Sequence, residues 1–311
     1  VDMRDQTAKT RFGPAEWGLS TVLSLTWGSS FLLIALAIEH LDPAVIPVGR
    51  SLVGATALLF FPGARTAIPW VHWPRIIALG LVWMAVPFLL FPLAEETVAS
   101  SVAGMMNGGL PVVIAAVTAF WVRRMPSRQR IAAILLGFLG IVVVAIPAIR
   151  SDANASAIAD ARGIALLALA LLGYAVGSNL ARPLQALYSP ARLLVRVQFA
   201  AALWMLPIGG PALTRSTFAW SSTLALVILG VMGTGIAFVV FGTLLERTGI
   251  TRAMIPTYFT PIVGLVLGVL FNGEGISPIS VVGMCIVILS AWMTSRPDDR
   301  DVMLTDSRGR N

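Results

Sequence analysis

The side chains that could do chemistry in this sequence are few, and the most unusual of them is an arginine inside an apolar run. Arg50 lies roughly eight residues inside the run at 43–62. A charge at that depth of a membrane costs about 2.5–3.5 kcal/mol on insertion scales, so it needs a role. It could hold a substrate carboxylate or a helix C-terminus, or it could be a structural arginine that bonds backbone carbonyls.

Other polar and aromatic residues lie near the middle of long apolar runs, where they could line a central cavity. Aromatic rings there could contact apolar or aromatic solutes, or cations through their faces. They could equally pack in a core or face lipid, and small serines also serve close helix packing. The cavity candidates are Trp27, Ser30, Arg50, Trp83, Asn107, Tyr174, Ser178, Tyr258 and Thr260.

The segment MMNGGLP at residues 105–111 interrupts an apolar run with residues that break helices. Irregular backbone in a membrane is tolerated only where it is buried in protein or lines a wet cavity. Asn107 could therefore donate to a substrate, or it could repair the frayed turn beside the two glycines. The prolines are better explained as kinks than as binding residues. The predicted hinge residues are Gly108, Gly109, Pro111, Pro256 and Pro261.

Enzymatic and metal chemistry is not indicated. Both histidines, His40 and His72, fall in predicted loops, and the sequence contains neither H-E-x-x-H nor G-x-S-x-G. The single cysteine, Cys285, can form no internal disulfide and no cysteine metal site. We therefore predict that the chain is not an enzyme and that it has no catalytic residues, no metal site and no cofactor.

The acidic residues are informative because of where they lie. A proton-coupled carrier usually needs a titratable carboxylate inside the membrane. The acids nearest the apolar runs fall at the ends of those runs, and they are Glu39, Glu95, Glu96, Glu246 and Glu274. A proton-coupling residue is therefore not evident from the sequence, and Glu274 is the nearest candidate.

The composition determines what kind of fold must position these residues. The chain is 57% hydrophobic and 12% charged, and its mean hydropathy is +0.85. A soluble domain has about 25% charged residues, and a membrane-spanning helix needs roughly 20 apolar residues. We predict an all-α polytopic membrane protein in contact with the lipid bilayer. The ten expected transmembrane helices lie at about 17–38, 43–62, 74–93, 98–121, 129–148, 162–181, 190–209, 219–243, 250–271 and 277–295.

Lysines and arginines indicate how the chain is oriented. Most of them fall in short loops on the side that holds both termini, whereas Arg150, Arg162 and Arg215 fall on the opposite side. The positive-inside rule then predicts that both termini are cytoplasmic. The pI near 10.9 reflects these scattered loop residues, so we expect no nucleic-acid partner.

The two halves of the sequence resemble each other. At an offset of 150 residues, Phe88 matches Phe238, Glu96 matches Glu246 and Pro111 matches Pro261. Because each half holds five predicted helices, an odd number, the second half must be inverted relative to the first. Inverted repeats with broken helices near the midplane are typical of secondary transporters. They predict two five-helix repeats around a central cavity.

Several segments resemble the EamA domains of the drug/metabolite transporter superfamily. WGSSF (27–31), GRSLVGA (49–55) and Pro111 resemble the first domain, and LLERTGITRAMIPTYFTPIVGLVLGVLFNGE (244–274) resembles the second copy. The resemblance implies a 5+5 helix basket in a bacterial plasma (inner) membrane. Since that family often has an arginine in the second helix whatever its substrate, the structural interpretation of Arg50 is favoured. One departure is that Gly273–Glu274 keeps a glycine–glutamate pair, whereas the first half has Arg124 at the matching position.

These observations divide the chain and lead to an expected function. We predict tails at 1–16 and 296–311, EamA repeats at 17–148 and 162–295, and a loop at 149–161. The expected function is export of small metabolites such as amino acids by alternating access, with a proton or an exchanged solute as the coupling partner. The alternatives are efflux of drugs or lipophilic cations, which would need a buried acid, and a membrane scaffold subunit that transports nothing.

Overall fold

The computed structural model describes residues 13–123, 126–150, 161–248 and 250–294, and the regular elements within these ranges are all helical. The predicted tails and inter-repeat loop lie largely or wholly outside the described residues. The α-helices are α1 (Pro14–Ile38), α2 (Val45–Leu58), α3 (Trp73–Leu79), α4 (Val86–Glu95), α5 (Ser100–Asn107), α6 (Leu110–Val122), α7 (Arg128–Arg150), α8 (Ala161–Gln185), α9 (Pro190–Ala212), α10 (Trp220–Ile228), α11 (Ala237–Thr248), α12 (Ile250–Ala253), α13 (Ile255–Asn272) and α14 (Pro278–Thr294).

Many of these helices are long and apolar enough to cross a membrane. Seven stretches in the described part of the chain meet that test, and the bent pair α5 and α6 makes an eighth when it is counted as one span. The two shorter apolar helices are Val45–Leu58 and Pro278–Met293. The prediction of an all-helical, multi-pass membrane protein is therefore confirmed at this level.

Two of the long stretches contain π-helical segments. The first π segment, Gly80–Ala85, joins α3 to α4, and the second π segment, Leu229–Ile236, joins α10 to α11. They lie about 150 residues apart, which is the offset at which the two halves of the sequence match. A π-helical turn accommodates an extra residue and so rotates the helix face that follows it.

The helix breaks expected from the sequence lie where α5 meets α6 and where α13 begins. The axes of α5 and α6 differ by 41° across Gly108 and Gly109, and Pro111 stands in the first turn of α6. A side chain on Gly108 would place its Cβ 2.9 Å from the ring of Pro261, which lies inside α13. The break in one half therefore packs directly against a proline kink in the other half.

Pairs of helices from the two halves pack closely where glycines allow it. Helix α7 packs against α14, and the crossing is made at Gly140 and Gly283. A Cβ on Gly140 would lie 2.8 Å from a methyl group of Val287 and 2.9 Å from its backbone nitrogen. Because real Cβ atoms do not come so close to backbone, the two helices could not keep this spacing with a larger residue there.

This packing gives a test of the fold. Gly140→Ala is expected to destabilise the protein by about 1–3 kcal/mol, because the α7 and α14 backbones must separate. The matched control is Gly18→Ala in α1, where an added Cβ meets nothing within 4 Å. That change is expected to leave stability unchanged or raise it by up to about 1 kcal/mol, since alanine favours helix over glycine. Thermal unfolding in detergent measures both, and equal melting temperatures for the two variants would contradict the crossing.

Candidate functional site

Arg50 is the centre of a buried polar cluster that connects the two halves of the chain. Its side chain is 7% exposed, and its Nε donates a 2.7 Å hydrogen bond to Oγ1 of Thr234 in the second π segment. Its guanidinium carbon lies 3.9 Å from the ring centre of Phe88 in α4, which is a cation–π geometry. Among the described residues this is the one hydrogen bond that the guanidinium donates. The N–H groups of Nη1 and Nη2 therefore have no acceptor there.

The second π segment explains why Thr234 reaches Arg50. The Thr234 hydroxyl donates to the carbonyl oxygen of Leu229, five residues earlier, at 3.2 Å. A threonine in an α-helix usually bonds the carbonyl four residues earlier, so the wider turn re-aims this hydroxyl. The glycine before it, Gly233, leaves room for neighbours: an added Cβ would meet Oγ of Ser30 at 3.0 Å and Nη2 of Arg50 at 3.8 Å.

Aromatic rings enclose the guanidinium on the α4 side. The ring of Tyr174 in α8 lies 6.5 Å from that of Phe88 and 5.9 Å from that of Phe91. Phe31 of α1 adds a fourth ring, 5.6 Å from Phe91. Phe88 and Phe91 share one face of α4 because they are three residues apart. The cluster therefore combines one cation with an apolar, aromatic wall.

Glu95 continues the same face of α4, and the sequence placed it among the acids at the ends of apolar runs rather than among the cavity candidates. It lies four residues after Phe91 and seven after Phe88, so all three point to one side of the helix. The side chain is 9% exposed, and neither carboxylate oxygen has a hydrogen-bond donor among the described residues. It lies within electrostatic range of Arg50 and Glu274. Glu95 lies at the end of α4, where the sequence places it, and it is buried there rather than exposed.

Glu274 caps the N-terminus of α5 from the other half of the chain. Its carboxylate accepts hydrogen bonds from the Ser100 and Ser101 backbone nitrogens at 2.8 Å and from the Ser100 hydroxyl at 2.7 Å. Asn272 donates a further bond at 2.9 Å. Gly273, with φ +63°, turns the chain so that Glu274 can reach back. Burial works against ionisation, but donors including Ser101, Asn272 and Ser100 outweigh it and lower the pKa of Glu274.

Two of the predicted cavity tryptophans pack against the same phenylalanine ring. Trp27 and Trp83 both contact Phe238, with ring centres 6.2 Å and 6.0 Å away. Trp83 is 7% exposed and packs on Gly177, where any side chain would collide with it. The structure thus brings together Trp27 from α1, Trp83 from the first π segment and Phe238 from α11.

The remaining predicted site residues bond mainly to their own helices. Ser30 donates to the Thr26 carbonyl at 3.0 Å, and Ser178 donates to the Tyr174 carbonyl at 2.7 Å. Around the α5–α13 crossing, Thr260 donates to the Pro256 carbonyl at 3.1 Å.

Two further candidates lie near the same crossing. Tyr258 donates from its hydroxyl to the Ala291 carbonyl at 3.4 Å, which joins α13 to α14. Asn107 is the last residue of α5 and is half-buried. The predicted candidates therefore fall into an Arg50–Tyr174 group, a Trp27–Trp83 group and a group beside the helix breaks.

One histidine does lie beside a serine, as an intramembrane hydrolase would require. Nδ1 of the exposed His40 is 3.2 Å from the Oγ of Ser222. That hydroxyl donates to the carbonyl oxygen of Leu36 at 2.6 Å, so its proton is directed away from the imidazole. The contact joins the end of α1 to the start of α10, and it lacks the nucleophile–base geometry of a hydrolase. The described residues hold no group of three or more His, Cys, Asp or Glu that could bind a metal ion.

Comparisons with known proteins agree with a transport fold. An uncharacterized transporter of Archaeoglobus fulgidus is 24% identical over 88% of this chain and 98% of its own length. A probable terminal-alkyne amino-acid exporter of Streptantibioticus cattleyicolor is 24% identical over 92% of this chain and 95% of its own length. A probable amino-acid metabolite efflux pump of Salmonella typhimurium is 22% identical over 88% of this chain and 93% of its own length.

A solved crystal structure and a family match extend the comparison. The crystal structure aligns with a TM-score of 0.61 over 90% of this chain and 96% of that chain, at 18% identity, which shows a shared fold. The EamA-like transporter family matches the chain twice, at residues 17–146 and 161–296. The family and these relatives are named as transporters. Since the two matches cover nearly the whole chain, the protein belongs to the EamA-like transporter family.

Proposed function

We propose that this protein is a secondary transporter of the plasma membrane that exports small metabolites such as amino acids by alternating access. The observation that carries the proposal is the buried Arg50, whose guanidinium lies over the ring of Phe88 and donates one hydrogen bond, from Nε, to the described residues. Ten spans would form two inverted five-helix repeats with both termini in the cytoplasm. The small-molecule substrate would bind between the repeats, near the middle of the bilayer.

The chemistry of the Arg50 cluster fits a substrate that carries a carboxylate and an apolar side chain. Two parallel N–H groups of a guanidinium match the two oxygens of a carboxylate. Nε is already held by Thr234, so the guanidinium plane has a defined orientation. The rings beside it can contact the apolar part of a solute. This assigns Arg50 a binding role together with its structural role as a link between α2 and the second π segment.

The fold supports the alternating-access part of the proposal. The π segments occur at matching positions of the two halves, and Gly108 of one half touches Pro261 of the other. A carrier needs elements that can change their packing around a central site, and broken helices provide them. The predicted hinge residues therefore lie where the two halves would move against each other.

Two of the similar proteins support the substrate class. One is named as a probable amino-acid exporter and another as a probable amino-acid metabolite efflux pump. Both are less than 25% identical to this chain, so the chemistry around Arg50 is the main argument for a carboxylate.

A second candidate function has one observation in its favour. Efflux of lipophilic cations needs a buried acid to balance the substrate charge, and Glu95 is such an acid. Arg50 nevertheless lies within electrostatic range of Glu95 and repels cations. Amino-acid export therefore remains the first proposal, and the substrate panel below separates the two.

The first test changes Arg50 and measures exchange. In proteoliposomes, wild-type protein is expected to show counterflow of a labelled neutral amino acid. Arg50→Lys keeps the charge but loses the planar pair of donors, so the half-saturating concentration should rise about tenfold or more. The control is Arg75→Lys, on an exposed position of α3. Wild-type affinity in the Arg50 variant would contradict the binding role, and no counterflow in any sample would favour a scaffold.

The second test asks which substrate group the site recognises. Unlabelled amino acids should inhibit the counterflow, whereas amino-acid amides, which lack the carboxylate, should inhibit at least about tenfold more weakly. Lipophilic cations should not compete. In Arg50→Gln any residual transport should discriminate less between acid and amide. Competition by lipophilic cations, with equal inhibition by acids and amides, would instead support cation efflux.

A further inference from the structure

We propose that Glu95 is a proton-binding site of the transport cycle, and that it binds its proton when Glu274 closes over the N-terminus of α5. This inference rests on the proposed transport function and names a coupling partner for it. It is carried by two observations, which are a buried carboxylate at Glu95 without a hydrogen-bond donor and a second carboxylate, Glu274, that accepts hydrogen bonds at the N-terminus of α5.

The surroundings of Glu95 do not satisfy a charged carboxylate. Both oxygens lack hydrogen-bond partners among the described residues, and the nearby residues along the chain, Leu90, Ala94 and Val98, belong to the buried hydrophobic core. An ionised carboxylate in an apolar site without donors is so costly that such groups normally take up a proton. Glu96, the next residue, is exposed and has no such constraint.

The charged and titratable groups that face Glu95 come from three elements. Helix α2 provides Arg50, and the loop after α13 provides Glu274, both within electrostatic range of Glu95. Helix α8, which packs on α4, carries Tyr174 beside Phe91 and two exposed arginines, Arg162 and Arg182. The other elements packed on α4 are α1, α5 and the first π segment, and their only ionisable side chain is Glu16 at the far end of α1. Arg50 favours a negative Glu95, but its Nε bond goes to Thr234 rather than to the carboxylate.

Glu274 works against a negative charge on Glu95. With two backbone N–H groups, a serine hydroxyl and an asparagine amide as donors, Glu274 has its pKa held low and is ionised at neutral pH. When two carboxylates share a site, ionisation of one disfavours ionisation of the other. Glu274 accepts four hydrogen bonds, whereas the Glu95 oxygens accept none among the described residues, so we assign the proton to Glu95.

Closing and opening of this end therefore change the proton occupancy. The bonds from Ser100 and Ser101 to Glu274 join the two halves, so they must break when the halves separate there. Separation removes the negative neighbour and admits water, and Glu95 can then release its proton to that water. A cleft of about 30 Å³, large enough for a water molecule, already lies beside Ser101 and Gly275. The O–H bond of Glu95 is the one covalent bond that breaks in this step, and the released proton passes to water.

The neighbouring Asp42 is not an alternative proton site. It lies in the loop between α1 and α2, and Arg215 donates to it at 2.7 Å. This hydrogen bond lowers the pKa of Asp42, so the side chain is ionised throughout the neutral range. It has a partner and is more exposed than Glu95.

The test uses Glu95→Gln, which has the shape of a protonated glutamate, and Glu96→Gln as the matched control. In proteoliposomes a pH difference across the membrane should accelerate net transport by the wild type and by Glu96→Gln at least about tenfold. Glu95→Gln should lose this acceleration yet keep counterflow at equal pH, because exchange needs no net proton movement. A variant that retains wild-type counterflow is also shown to be folded.

Infrared difference spectroscopy of the purified protein gives a readout that does not depend on transport. The wild type and Glu96→Gln should show the band of a protonated carboxylic acid at neutral pH, and Glu95→Gln should lack it. Persistence of the band in Glu95→Gln, or a full response of that variant to the pH difference, would overturn the proposal. Absence of counterflow from all samples would instead remove the transport function while the band still reports on Glu95.

Discussion

The arrangement of the site depends on one constraint, which is that a guanidinium buried among apolar helices must be satisfied by its neighbours. Arg50 meets this constraint with a threonine from the second half of the chain and a phenylalanine from the first. Thr234 can reach Arg50 only when the second half of the chain is packed against the first. The cost of the buried charge therefore makes the association of the two halves part of the stability of α2. A residue under this constraint is suited to sense a substrate at the interface between the halves.

The π segments show how local backbone geometry serves that constraint. In a regular helix the Thr234 hydroxyl would donate to the carbonyl oxygen four residues earlier. Thr260 makes such a hydrogen bond within its own helix. In the wider turn the Thr234 hydroxyl bonds Leu229 and accepts from Arg50. The first π segment similarly carries Trp83, whose ring lies against Gly177 of α8. Each π segment therefore directs one side chain towards a neighbouring helix. Such π-helical turns are frequent at functional sites.

The sequence predicted the helices and the break at 108–109 because their signals are local. Long apolar runs and an Asn-Gly-Gly triplet can be recognised without knowing which residues they contact. The grouping of the candidates could not be predicted, because Phe88 and Phe238, which join them, look like ordinary core residues. Thr234 carries no signal in an apolar segment. The position of Glu95 at the end of its apolar run could be predicted, but its burial depends on the tertiary packing of α4. Its spacing from Phe88 and Phe91 was the one signal that could have placed it in the site.

The two ends of the helix assembly are held together by different chemistry, and the sequence shows why. At the end that contains Glu274, a carboxylate caps a helix N-terminus, where partial positive charge stabilises it. At the opposite end, Arg192 and Arg196 donate to backbone carbonyls of residues 64–67. The first half has Arg124 where the second has Glu274, so its sequence cannot reproduce the carboxylate cap. An arginine keeps its proton at every physiological pH, whereas a pair of carboxylates does not. Because the proposed proton site at Glu95 lies at the Glu274 end, whereas arginines bond backbone carbonyls at the opposite end, the two ends would respond differently to a change in pH.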